Sequence, residues 1–205
     1  MERNRRTAEE NSGFTLLEAL LAFSLLGLVG FKIYGAMSAM NQSVDKQSLD
    51  AQVEDQARRV LRQIAYEVMG SNRETLAPDA PAHLGSDKLR YQVSLGVQDG
   101  EVVWADPEQL SLEERMQQVV WSENPETNLE RWVVWSNMVA PYLEGELPDG
   151  MDNNNNGLID EKGLSFELDG NSVTVRVTLE CLKNDGTAAA KTVQTTVTCR
   201  NWIDA

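Results

Sequence analysis

Ser12-Gly13-Phe14-Thr15-Leu16-Leu17-Glu18-Ala19-Leu20-Leu21-Ala22-Phe23 opens an apolar run that continues to Phe31. Its length is close to the ~20 residues a helix needs to cross a hydrocarbon core. It holds no proline, and its glycines, Gly27 and Gly30, are tolerated in membrane helices. One charge, Glu18, lies within its first turn or two. A carboxylate near the bilayer centre costs ~2.5–3.5 kcal/mol on insertion scales, so a plain anchor has no use for one. A helix that leaves the lipid to pack beside copies of itself does, because the carboxylate can pair with a neighbour's N-terminal amine. A cleaved secretory signal fits poorly, since its apolar core of ~7–15 residues would be followed by a small-residue cut site.

The pattern Gly13-Phe14-Thr15-Leu16-Leu17-Glu18 resembles the N-terminal signature of type IV pilins and type II secretion pseudopilins. The likeness covers residues 12 to about 69 and is looser beyond. It implies cleavage by a prepilin peptidase between Gly13 and Phe14. Phe14 then becomes the N-methylated terminus, and Glu18 the assembly carboxylate. The implied partners are that peptidase, other pilins or pseudopilins in a filament, and an inner-membrane assembly platform.

The whole chain has 205 residues, enough for one domain besides the helix, and carries 18 Lys and Arg against 32 Asp and Glu, a net charge of −14. Residues 1–13 hold three arginines and three glutamates, so the remainder keeps the full −14. Such an acidic body does not suit nucleic acid, whose phosphates require basic patches. It suits a solvated exterior and bound cations. Arg3, Arg5 and Arg6 precede the apolar run and only Lys32 follows closely. Positive flanks stay cytoplasmic, which predicts a single-pass inner-membrane protein with its C-terminal domain in the periplasm.

Past residue 40 the composition turns polar, yet an apolar stripe persists at Leu49, Val53, Ala57, Val60, Leu61, Ile64 and Val68. That spacing predicts an amphipathic continuation of the helix, ending near Gly70-Ser71-Asn72. Asp50, Glu54, Asp55, Arg58, Arg59 and Arg62 form its other face. A break at Gly35 into two helices is the alternative. Residues 70–88, with Pro78, Pro81 and the lone His83, predict a loop, the histidine being solvent-exposed.

Strand patterns follow. Residues 89–95 alternate, Asp99-Gly100 is a hairpin-type turn, and 101–104 is its second arm. Residues 106–114 read as a loop or one helical turn. Residues 116–121 and 129–135 predict paired strands, and 138–147 a bridge or edge strand. Residues 164–168 and 173–179 predict a hairpin about Asp169-Gly170-Asn171, with a last strand at 192–198. Four of the five tryptophans, Trp104, Trp121, Trp132 and Trp135, fit core packing better than sugar binding. The fold class is therefore α+β, with a long N-terminal helix, transmembrane in its first half and amphipathic in its second, on a C-terminal antiparallel sheet domain. The segments are 1–13, 14–40, 41–69 and 70–205. The layout is similar to pilins, J-type minor pseudopilins or W-type minor pilins in particular.

Cys181 and Cys199 are an even pair, which an oxidising compartment would let bridge. A hairpin of 173–181 with 191–199 about Asp185-Gly186 would hold them apart; a wide loop over 182–191 would not. Within the acidic loop 149–161, Asp152, Asn154, Asn156, Gly157, Leu158 and Asp160 follow the ligand order of an EF-hand loop. Hard oxygen donors of this kind suit calcium. The twelfth position is Gly163 instead of a bidentate Glu, and Glu161 is the substitute. An Asn-rich turn held by side chain–backbone hydrogen bonds explains the same residues.

No nucleophile motif surrounds the histidine or cysteines, and no carboxylate pair has recognisable catalytic spacing, so no enzyme is expected. The leading expectation is a structural subunit, of minor type, in a type IV pilus or type II secretion pseudopilus. A membrane-anchored, extracytoplasmic, calcium-dependent binding module is the alternative.

Overall fold

A computed structural model describes residues 15–78, 85–182, 186 and 188–199. Gly13, Phe14, His83 and most of the turn about Asp185 lie outside the described residues. The chain divides into two units, residues 1–45 and 46–205. Helix α1, Leu16–Gly70, is helical throughout, Gly35 included, and stops at the predicted glycine.

In the first unit the helical residues are almost all exposed, among them Leu16, Phe23, Leu26, Phe31 and Tyr34. In the second unit the predicted stripe is the core: Val53, Ala57, Val60, Leu61, Ile64 and Val68 are buried. The opposite face is solvated and carries (i, i+4) pairs, Arg58 to Glu54 and Arg59 to Asp55, each at 2.7 Å. Exposed pairs of this kind contribute little, since water screens them and two long side chains must be held still. Burial of the aliphatic stripe stabilises the unit far more, at ~1.5–3 kcal/mol for each large side chain.

Ten strands are described. β1 (Ala77–Pro78), β2 (Lys88–Tyr91), β5 (Glu108–Glu113), β6 (Gln118–Glu123) and β7 (Arg131–Ser136) form an antiparallel sheet in the order β1-β2-β5-β6-β7. β8 (Leu164–Asp169), β9 (Ser172–Leu182) and β10 (Ala188–Thr198) form a second sheet with β9 in the middle. β3 (Ser94–Gln98) and β4 (Glu101–Trp104) form a separate hairpin. Bridges Ser86–Phe166 and Val139–Leu179 tie the first two sheets. Leu89, Tyr91, Leu110, Leu112 and Val119 from one sheet, and Phe166, Val173, Val175, Val177 and Leu179 from the other, join the helical stripe in one core. The fold is α+β: a long helix and a C-terminal antiparallel sheet domain.

The turns follow their residues. Asp99 and Gly100 both have positive φ, 54° and 88°, as a type I′ turn between β3 and β4 requires. Gly170, φ 56°, turns β8 into β9, with Asp169 paired to Ser172.

Two strand readings need correction. Residues 106–114 are neither loop nor helical turn: 108–113 form β5, paired to β2 and β6 on either side. Leu110 and Leu112 are buried, so the period-2 apolar pattern overrides the helix-leaning glutamates that flank it. Residues 89–95 are two strands in different sheets. The chain leaves β2 at Gln92, whose Nε2 donates to the Ala105 carbonyl at 3.1 Å and whose N–H donates to Thr75 Oγ1 at 3.1 Å.

Ile64→Ala should destabilise the domain by about 2–5 kcal/mol in denaturant titrations followed by tryptophan fluorescence. Tyr66→Ala, on the exposed face of the same turn, should stay within about 0.5 kcal/mol of the parent. Glu67 gives a pH test. Burial, and then the Glu108 charge, pushes its carboxyl above the usual range. The fold therefore favours the protonated form, and that stabilisation is lost as pH rises from the unfolded to the raised folded value. Glu67→Gln should melt higher than the parent at neutral pH, and the gap should close in acid.

Candidate functional site

Two places carry groups that packing alone does not explain. At the start of α1, Glu18 closes on Thr15. The Thr15 N–H and hydroxyl both donate to Glu18 Oε2 at 3.1 Å, and the Glu18 N–H donates to Thr15 Oγ1 at 3.3 Å. This is a reciprocal capping box, Thr-x-x-Glu, which satisfies helix-end donors that have no intrahelical partner. The pattern is legible in the sequence, and the intermolecular reading of Glu18 passed over it. None of the apolar membrane-length stretch of this helix is buried within the protein. The helix is long and apolar enough to be a membrane anchor or a signal sequence.

The second place is the segment that leaves β7 and returns at β8. It is laid along β9 by backbone bonds: Ala140 N–H to Thr178 O at 2.9 Å, Thr178 N–H to Gly163 O at 2.7 Å and Gly163 N–H to Pro141 O at 3.2 Å. Leu143 N–H donates to Glu161 O at 3.1 Å, joining the two limbs. Between them the chain turns on its own side chains. Asp152 accepts from the N–H groups of Asn156 at 3.1 Å and Gly157 at 2.9 Å. Asn154 Oδ1 accepts from Asn156 N–H at 3.1 Å, and Asn156 Oδ1 from Leu158 N–H at 2.9 Å. Asn155 and Gly157 take positive φ, 59° and 92°.

The Asn154 and Asn156 amide groups both donate to Glu161 Oε2, at 3.4 and 2.6 Å. Glu161 is fully buried, and burial pushes its carboxyl up, opposed by the Asn156 amide and the Arg176 charge. Thus Asp152, Asn154, Asn156 and Glu161 belong to one hydrogen-bonded turn, and Leu158 anchors it with a buried side chain. Asp160 is used otherwise: its carboxylate accepts from Asp149 N–H at 3.1 Å and Gly150 N–H at 3.0 Å, fixing the preceding turn. The side chain–backbone bonds of an Asn-rich turn are therefore present. Among the described residues, no three His, Cys, Asp or Glu side chains are gathered as a metal cage.

Glu146 is the participant that sequence reading missed. It lies outside the twelve-residue loop, and nothing in Gly145-Glu146-Leu147-Pro148 marks it. Yet it is 5% exposed, and its Oε1 accepts the Asn154 N–H at 3.1 Å. Arg176 was also missed, although a charge within Val173-Thr174-Val175-Arg176-Val177 was the available signal. It bonds Glu167 at 2.8 Å and stands 3.7 Å from Glu161.

The Cys181–Cys199 bridge is not formed, and both thiols are free. Cys181 pairs with Ala189, and Thr198 with Ser172, so the cysteines sit at opposite ends of the β9–β10 ladder. Strands advance ~3.3 Å per residue, which puts them tens of ångströms apart, against the ~7 Å a disulfide spans. Burial pushes the Cys199 thiol up. Trp121 and Trp135 pack on the core, Trp104 is half-buried, and Trp132 is exposed on the sheet-edge strand β7.

Comparisons with protein-family models, with curated proteins and with solved structures give no match to this chain.

Gly163 explains why the loop departs from the EF-hand pattern. A Cβ there would run into the carbonyl of Ala140, so no side chain fits at the twelfth position. Gly163→Ala should lower the melting temperature markedly, by ~2 kcal/mol or more in stability, as backbone has to move. Gly100→Ala on the exposed β3–β4 turn would test φ alone. Its Cβ meets nothing within 4 Å, and it should cost less.

Proposed function

We propose that this protein is a structural, non-enzymatic subunit, of minor type, of a type IV pilus or type II secretion pseudopilus. Prepilin peptidase cuts after Gly13, Phe14 is methylated, and the helix inserts in the inner membrane with the sheet domain in the periplasm. The subunit then passes from an assembly platform into the filament, where Glu18 pairs with the Phe14 amine of a neighbour. The observation that carries this reading is a single carboxylate, Glu18, at the head of an exposed apolar helix of membrane-spanning length. The long helix followed by an antiparallel sheet domain supports it as well.

The capping box sharpens the test. Glu18→Ala removes both the cap and the charge. Glu18→Gln keeps a side chain that can cap but cannot form an ion pair. Both variants should insert in membranes normally, and both should lose filament incorporation by tenfold or more, since truncating a paired charge costs about 2–5 kcal/mol. Normal incorporation of Glu18→Gln would reduce Glu18 to a helix cap and overturn the pairing. Mass spectrometry of the native N-terminus should find methylated Phe14. Retention of residues 1–13 would favour the membrane-anchored binding module instead.

A further inference from the structure

We propose that Glu146 and Glu161 complete a calcium site on the Asp152–Asn156 turn. Glu146 and Glu161 are 5% and 0% exposed, and a buried carboxylate without full compensation costs several kcal/mol. Glu146 is held to the turn through Oε1 and the Asn154 N–H, while its Oε2 has no hydrogen-bond partner. Glu161 Oε1 has none either. The nearby cation, Arg176, stands 3.7 Å from that oxygen and is hydrogen-bonded to Glu167 instead. Two buried carboxylates thus meet one turn with a single, loosely placed positive charge between them.

The turn supplies what a hard cation needs besides charge. Asn154 Oδ1 and Asn156 Oδ1 each accept one N–H, and an amide oxygen has a second lone pair. Asp152 braces the turn through the Asn156 and Gly157 N–H groups. All donors are oxygens, and sulfur and imidazole play no part, which selects calcium or magnesium over transition metals. Mixed carboxylate and amide donors on an irregular loop suit the six to eight flexible ligands of calcium better than the strict octahedron of magnesium. The blocked twelfth position is thereby replaced twice: by Glu161 from two residues earlier, and by Glu146 from outside the loop. The amide bonds of Asn154 and Asn156 to Glu161 are those an arriving ion displaces.

The test uses the full chain in detergent, titrated with calcium chloride or magnesium chloride and followed by calorimetry and melting. Calcium should bind with a dissociation constant within about 1 μM to 1 mM and raise the melting temperature, and magnesium should do so far less. Glu146→Gln should weaken calcium binding tenfold or more without lowering the ion-free melting temperature, because it removes a buried charge whose Oε2 has no partner and keeps the amide oxygen that can accept from Asn154 N–H. Asn156→Asp, at an exposed position, should tighten binding, and it carries the test if Glu146→Gln fails to fold. Glu101→Gln, on β4, should change nothing. Absence of heat and of any melting shift in the parent at about 10 mM calcium, ten times the weakest extracellular affinities, would overturn the site. So would equal effects of the two metals, or parental affinity in both loop variants. Glu18 and assembly play no part in these readouts, so the outcome is independent of the filament reading.

Discussion

The α1 helix must satisfy two different surroundings with one backbone geometry. From Val53 to Val68 one apolar stripe, Val53, Ala57, Val60, Leu61, Ile64 and Val68, is buried in the core it shares with the two sheets, while Tyr66 on the other face stays exposed. Between Leu16 and Met40 the apolar residues run all round the helix and are left uncovered. Contiguous apolar surface of that extent is not stable in water, and it marks contact with lipid or with protein. The sheet domain is ordinary in this respect, since its stripe of helix completes a core that neither sheet closes alone. The unusual demand falls on residues 16–40, and the functional reading starts from that demand.

Glu18 shows how one side chain can meet different conditions. With only its own chain present, its carboxylate accepts from Thr15, and a cap of this type is worth roughly 1 kcal/mol. That is less than the ~2.5–3.5 kcal/mol of placing a charge at mid-bilayer, so capping offsets part of the cost without removing it. A position near the end of the helix, where the group reaches the interface, lowers the cost further. In the proposed filament a neighbour's amine would add what the cap lacks, an opposite charge, and would compete with Thr15 for the same oxygens.

The legible parts of the fold are those with local causes. The stop at Gly70, the Asp99-Gly100 and Gly170 turns, the buried stripe and the β9–β10 hairpin all follow from periodicity or backbone chemistry. That hairpin also separates Cys181 from Cys199. Strand β5 was not legible, because Glu108-Gln109-Leu110-Ser111-Leu112-Glu113 is short and lacks β-branched residues. It is a strand because β2 and β6 leave a gap between them that only an extended chain can pair. Likewise Asn154, Asn156 and Glu161 could be named from spacing, and Glu146 could not. Its place depends on the bond from Leu143 N–H to Glu161 O, a contact between limbs far apart in sequence.

Strand β9 links these observations. Val173, Val175 and Val177 point into the core, while Thr178 and Arg176 face the 138–163 segment and its partners. Thr178 holds both limbs at once, accepting from Ala140 and donating to Gly163. The limbs therefore pass so close that Gly163 cannot bear a Cβ. The same closeness brings Glu146 and Glu161 onto one turn. The absence of a side chain at Gly163 and the presence of Glu146 on the turn thus have one cause, the tight seating of this segment against the middle strand of its sheet.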